Sequence, residues 1–164
     1  VIIVEERLAE AFDQLPLIDG FKPVYDWGNE FNLLATLNVY AKANTSPYPL
    51  IYQTSMDEEQ DVVLQSCQTR LILIVATVNP QTDLLNKNRW AMSYRNVLFP
   101  MAENIQKCIL KAGIFLWDGK VRLTKYPNYG SGAENNTTDI WDAIKMEFTN
   151  PITISSNCIN QIRF

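Results

Sequence analysis

The sequence contains no histidine. That absence removes the commonest general base, the Ser-His and Cys-His nucleophile pairs, and the usual ligand of catalytic zinc. Phosphate-binding loops are missing too. There is no GxxxxGKS/T, no GxGxxG and no GxSxG, and the one glycine-dense stretch, Gly130-Ser131-Gly132, lies in a polar segment without strand-to-helix context. Cysteine is scarce: Cys67, Cys108 and Cys158 are odd in number, far apart and without CxxC spacing. They suggest neither a disulfide framework nor a zinc site, and reduced, mostly buried thiols are expected. No apolar run approaches the roughly 18 residues that span a bilayer, and the longest, Leu71 to Val78, is strand-sized. The opening segment VIIVEERLAEAFDQL is interrupted by Glu5, Glu6 and Glu10, which does not suit a signal peptide. A soluble chain without export is therefore expected, and the sequons at Asn44, Asn135 and Asn136 are read as incidental.

Positive charge is also in short supply. Fourteen Lys and Arg stand against 18 Asp and Glu, a net charge of −4. Tight sequence-specific DNA binding, which draws on phosphate neutralisation, is not expected on that ground, although mild acidity suits a channel through which DNA slides without adsorbing. What the chain does have is core: 47% hydrophobic against 20% charged residues over 164 positions, the composition of one ordinary globular domain spanning 1–164.

Periodicity orders the chain. Ile2, Leu8, Ala9, Ala11, Phe12 and Leu15 form the apolar stripe of a first helix ended by Pro16. A turn-rich connection, LPLIDGFKPVYDWG, leads to a second helical stretch from about Asn29 to Lys42, expected to pack on a sheet. LIYQTS reads as a strand, Asp57 to Asp61 as an acidic turn, and TRLILIVATVN, apolar on both faces, as the central strand. From Asn86 a helical pattern runs through Pro100 to Gly113, expected to be kinked or split at the proline. Lys120 to Tyr126, DIWDAIKMEF and ITIS read as strands, with a polar loop between the first two. Helices on a mostly antiparallel sheet, an α+β fold, follow from this order. The core is expected on Leu71, Leu73, Ile74, Val75, Val97, Leu98, Ile105 and Ile109.

No constellation for catalysis emerges, and no catalytic residue, cofactor or metal ligand is assigned. The acidic cluster lacks the ligand spacing and turn glycine of a calcium loop and reads as solvated. The aromatics are interleaved with core positions rather than with Lys and Arg, unlike a single-strand nucleic-acid platform. Trp27, Trp117 and Tyr129, at predicted loops or element ends, are candidates for interface anchors or for caps on the chain's own core. Arg89 and Arg95 are candidates for ion pairs across a subunit boundary.

Several segments together resemble the tail terminator and neck proteins of long-tailed bacteriophages, particularly those of Bacteroides-type phages and prophages. They are PYPLIYQTS, the acidic turn, TRLILIVATVN, NKNRWAMSYRNVLFPMAENIQKCIL with its Arg-containing helix running into Leu-x-Pro, and the closing WDAIKMEFTNPITISSNC. They span roughly Pro47 to Cys158. The resemblance implies a tail-terminator-like α+β fold and a virion protein, made in the host cytoplasm, that acts by assembly without reaction or cofactor. It implies a homo-oligomeric ring, commonly a hexamer, joining the tail tube to the head-side connector, with the genome passing through its lumen unbound and no membrane involved. On this reading the loop Tyr129 to Asp139 is an arm and Asp57 to Asp61 a lumen or axial contact. The candidate subunit contacts are Asp57, Glu59, Arg89, Arg95, Trp117, Tyr129, Asn135 and Asp139. Two alternatives stand beside it. One is a head-completion or connector ring stacking on the portal. The other is a non-viral small-molecule-binding or enzymatic domain using carboxylates such as Asp26, Glu30 and Asp83.

Overall fold

A computed structural model describes residues 1–29, 32–33, 35, 49–54, 56–79, 86–129 and 140–164. Within them the chain is a mixed α+β fold, as its pattern implies. The helices are α1 (Val4–Phe12), α2 (Asn86–Arg89) and α3 (Phe99–Lys111), with a π-helical segment (Trp90–Leu98) joining the last two. The strands are β1 (Val24–Gly28), β2 (Leu50–Thr54), β3 (Glu58–Asp61), β4 (Ser66–Thr69), β5 (Ile72–Asn79), β6 (Phe115–Leu116), β7 (Val121–Tyr129), β8 (Ile140–Phe148) and β9 (Ile152–Ser155).

Two sheets form. The first has the order β1-β2-β5-β8-β7 and the second β3-β4-β9-β6. Among the described residues only β1 and β2 run parallel, and the other strand pairings are antiparallel. β5 sits at the centre of the five-stranded sheet, where its two-sided apolar run belongs: Leu73, Ile74, Val75 and Ala76 are all buried in succession. The pleat sends them alternately into two clusters. Leu73 and Val75 join the main core with Ile51, Ile144 and Met146, against which α1, the π-helical segment and α3 contribute Leu8, Phe12, Leu98, Ile105 and Ile109. Ile74 and Ala76 join a second cluster with Leu50, Tyr52, Trp141, Ala143 and Leu33. All eight expected core residues are buried.

The second sheet has one dry face. Cys67, Ile152 and Ile154 enter the main core, while Glu59, Gln68, Thr153 and Ser155 lie on the opposite pleat, at most half-buried. Such a sheet shows an alternating pattern, and its short polar strands escape a search for apolar runs.

Several expected elements are revised. Helix α1 is shorter than its apolar stripe, beginning at Val4 and ending at Phe12. The turn-rich connection contains β1 and, before it, a two-residue turn at Asp19-Gly20, both with positive φ, that closes on mutual Ile18–Phe21 backbone hydrogen bonds of 2.8 and 2.9 Å. Pro100 does mark a division of the long helical stretch, as expected, between the π-helical segment ending at Leu98 and α3 beginning at Phe99. It stands in the first turn of α3, where the helix changes from π to α hydrogen bonding, so its ring and missing N–H interrupt no continuous α ladder. The expected second helix lies mostly outside the described residues, although Leu33 within it packs in the second cluster. The polar loop 130–139 lies outside them altogether.

Candidate assembly surface

The acidic residues Asp57 to Asp61 are not a turn: Glu58 to Asp61 form strand β3, paired antiparallel to β4 in the register Glu58↔Thr69 to Asp61↔Ser66. An edge strand of this kind packs on one side only, so it tolerates charged residues that a central strand would not. The turn is the apolar stretch that follows. Val62, Val63 and Leu64 sit at the hairpin tip with 84%, 91% and 74% of their surface exposed. One carboxylate oxygen holds them there, since Asp61 Oδ1 accepts from the backbone N–H of Val63 (2.9 Å) and of Leu64 (2.8 Å). Gln65 closes the turn in the left-handed region, φ 50°. Three consecutive apolar side chains are thus presented to solvent on a backbone tied in place, the reverse of the polar composition hairpin turns usually carry.

Each sheet also ends in an open strand. β3 is one outer strand of the four-stranded sheet, with β6 at the other edge, and β7 is one outer strand of the five-stranded sheet, with β1 at the other edge; β3 and β7 have no further partner among the described residues. The two edges differ in charge. Asp57, Glu58, Glu59 and Asp61 are exposed along β3 and its entry, whereas Lys120, Arg122 and Lys125 are exposed along β7 and its entry. Arg122 keeps 72% of its side chain in solvent and only approaches Glu147, at 4.0 Å, which Lys145 engages more closely, at 3.1 Å. Lys125 lies over the Trp90 ring, 5.0 Å from its centroid, and so ties β7 to the aromatic group of Trp90, Tyr94 and Phe99 on the helical side. A shallow concavity of about 470 Å³ opens beside β3, bordered by Asp57, Glu58, Glu59 and Arg70.

The remaining candidate residues fall on separate elements. Arg95 is exposed on the π-helical segment, and no ion pair links it to Asp57 or Glu59 among the described residues. Arg89 ends α2 and Tyr129 ends β7, where its backbone pairs with Trp141. Asn135 and Asp139 lie outside the described residues. Trp117 turns inward: half-buried, it meets the Phe148 ring edge-on at 5.1 Å and donates from Nε1 to the Lys120 carbonyl at 3.3 Å. It caps the chain's own core. Trp27, by contrast, is 55% exposed.

Of the carboxylates weighed for acid–base chemistry, Asp26 accepts from the Trp27 backbone N–H at 2.8 Å, and Glu30 and Asp83 lie outside the described residues. The groups whose pKa is raised are buried for packing. Burial pushes the Cys108 thiol up to about 12, and burial followed by the nearby Glu58 carboxylate pushes Cys67 up to about 11. Burial also raises Tyr25, whose hydroxyl bonds the Gln53 side chain, and Tyr52, whose hydroxyl donates to the Asn29 carbonyl at 3.0 Å. Raised thiols and phenols are poorer nucleophiles and bases at neutral pH.

The hairpin tip was missed because Val-Val-Leu carries strand-forming residues and Asp-Glu-Glu carries turn-compatible ones, and tertiary placement reversed both preferences. The signal was Asp61 itself, a residue that binds backbone N–H groups two and three positions on. Among the described residues no helix is long and apolar enough to cross a membrane. No protein-family model matches the chain, and no curated protein matches it at a significant level.

Proposed function

We propose that this chain is a structural assembly subunit, and that its role is the one its sequence resembles: a ring-forming tail terminator of a tailed-phage neck, linking tail tube to head-side connector. The observation that supports an assembly role is the β3–β4 hairpin, whose tip holds Val62, Val63 and Leu64 exposed on a backbone fixed by Asp61. Exposed apolar groups on an ordered projection gain by burial against a partner, at about 25 cal/mol per Å² removed from water. Fixing the tip before contact also reduces the ordering entropy that association must overcome. The head-completion or connector ring uses the same surface and differs only in what it stacks on.

The test has two readouts. Light scattering on the purified chain should give the mass of a closed oligomer, and imaging should show rings on tails rather than on filled heads. Changing Val62, Val63 and Leu64 together to Ser should leave the unfolding free energy close to the parent's, since exposed positions each contribute no more than about 0.5 kcal/mol. The same change should abolish attachment to neighbouring components. A chain that is monomeric at every concentration, or a triple variant that attaches normally, would overturn the proposal.

A further inference from the structure

Resting on the assembly reading above, we infer that successive copies of this chain join edge to edge, the acidic strand β3 of one copy adding to the basic strand β7 of the next. Both strands are outermost in their sheets and therefore leave one row of backbone N–H and C=O groups without a ladder partner among the described residues. Such a row is a template for a strand from another chain. β7 is the longer template, nine residues from Val121 to Tyr129, with exposed side chains on both of its faces at Arg122, Leu123, Lys125 and Tyr126.

Charge selects the partner. Like edges repel: β3 against β3 sets carboxylates opposite carboxylates, and β7 against β7 sets cations opposite cations. Only the mixed pairing brings opposite charges together. Periodicity agrees with it, because residues two apart share a face. On β3 and its entry, Asp57, Glu59 and Asp61 share the pleat turned away from Cys67 and the core. On β7 and its entry, Lys120 and Arg122 share one pleat, the one opposite Val121, which packs against the core. Carboxylates and cations of matching spacing therefore meet on the solvent side of a sheet continued from one copy into the next.

The contact is head-to-tail, since the two edges belong to different sheets of one chain. A repeated head-to-tail contact generates a ring when its rotation closes and a filament when it does not. β3 runs directly into the hairpin tip, so the pairing also carries Val62, Val63 and Leu64 onto the neighbouring copy, where β7 exposes Leu123 and Tyr126.

The experiment is a charge exchange between edges. One variant carries Lys120→Glu with Arg122→Glu, and the other carries Glu59→Lys with Asp57→Lys. Alone, the first has two acidic edges and the second two basic ones, so each should run as a monomer in light scattering. Mixed in equal amounts, the two variants alternate and each contact between unlike copies again pairs opposite signs, so the mixture should assemble, at the parent oligomer mass where the parent ring holds an even number of copies. Recovery also establishes that both variants are folded. If either variant alone retains the parent mass, or the mixture stays monomeric while the parent assembles, the edge pairing is wrong and the assembly reading stands on other contacts. If the parent itself is a monomer, the assembly reading fails, and this inference with it.

Discussion

The two sheets solve the same packing problem under different conditions. The five-stranded sheet is covered on both faces along its centre, so β5 buries Leu73, Ile74, Val75 and Ala76 without a gap. The four-stranded sheet is covered on one face, so β9 alternates, with Ile152 and Ile154 buried and Thr153 and Ser155 between them only half so. A strand's tolerance for charge is thus set by how many of its faces are dry, not by how apolar its neighbours are.

An aspartate scan breaks that comparison most severely if it is wrong. Ile74→Asp and Val75→Asp, adjacent positions on opposite faces of β5, should each prevent folding, because either carboxylate is buried without a partner. In β9 the same change at Ile154 should unfold the chain, whereas Thr153→Asp should leave the thermal midpoint near the parent value. Tolerance at either Ile74 or Val75 would mean that the face of the larger sheet it occupies is wet. A milder form uses alanine. Ile74→Ala in the second cluster and Ile105→Ala in the main core should each lower stability by about 2–5 kcal/mol in urea unfolding.

The edge β1 sharpens the contrast further. A Cβ added to Gly28 would lie 2.5 Å from the Tyr52 hydroxyl oxygen, so the second cluster reaches the backbone of the outermost strand. Gly28→Ala should cost about 1–3 kcal/mol, read in the same unfolding experiment. Adding Tyr52→Phe, which removes the clashing oxygen, should restore part of that loss. A double variant no better than the single one would show that the strain lies elsewhere.

The smallest effect concerns the turn leading into β7. The Asp118 carboxylate accepts from the Lys120 backbone N–H at 3.0 Å and from the Asn150 side chain, and these bonds hold its pKa below the usual carboxylate value. A lowered folded-state pKa means that the stabilisation is complete above the unfolded value and is lost as pH falls through the folded one. The difference in melting temperature between the parent and Asp118→Asn should therefore be constant at neutral pH and shrink only in acid. A difference that grows in acid would reverse the sign and remove this carboxylate from the turn's support.

Much of the fold was legible because burial on two faces writes itself as unbroken apolar sequence. Leu71 to Val78, the alternation of Ile144, Met146 and Phe148, and the stripe through Ile105 and Ile109 each led to the right element and the right face. The four-stranded sheet was less legible. β3 is EEQD, with no fully buried position, and β4 is SCQT, with Cys67 and Thr69 buried; both are held largely by pairing, which composition alone does not distinguish from turn. The candidate contacts are placed by the same logic: Asp57 and Glu59 are exposed on the edge strand and its entry, while Trp117 is half-buried against the Phe148 ring at the rim of the core. The exposed Val62 to Leu64 had only Asp61 before it as a turn signal, which its own apolar composition outweighed, since an apolar triplet signals burial unless the fold places it at a tip.

The three thiols divide in a way that gives a handle on all of these questions. Cys67 and Cys108 are sealed in the core with their ionisation pushed to about 11 and about 12, while Cys158 is exposed in the segment after β9. A maleimide dye added near neutral pH should therefore modify one position per chain without any engineering, because only a reachable thiol reacts. In a chain that assembles, the dyes on adjoining copies become a fixed-distance reporter. Depolarisation by energy transfer among them would follow the joining and parting of subunits in real time, on the unmodified sequence.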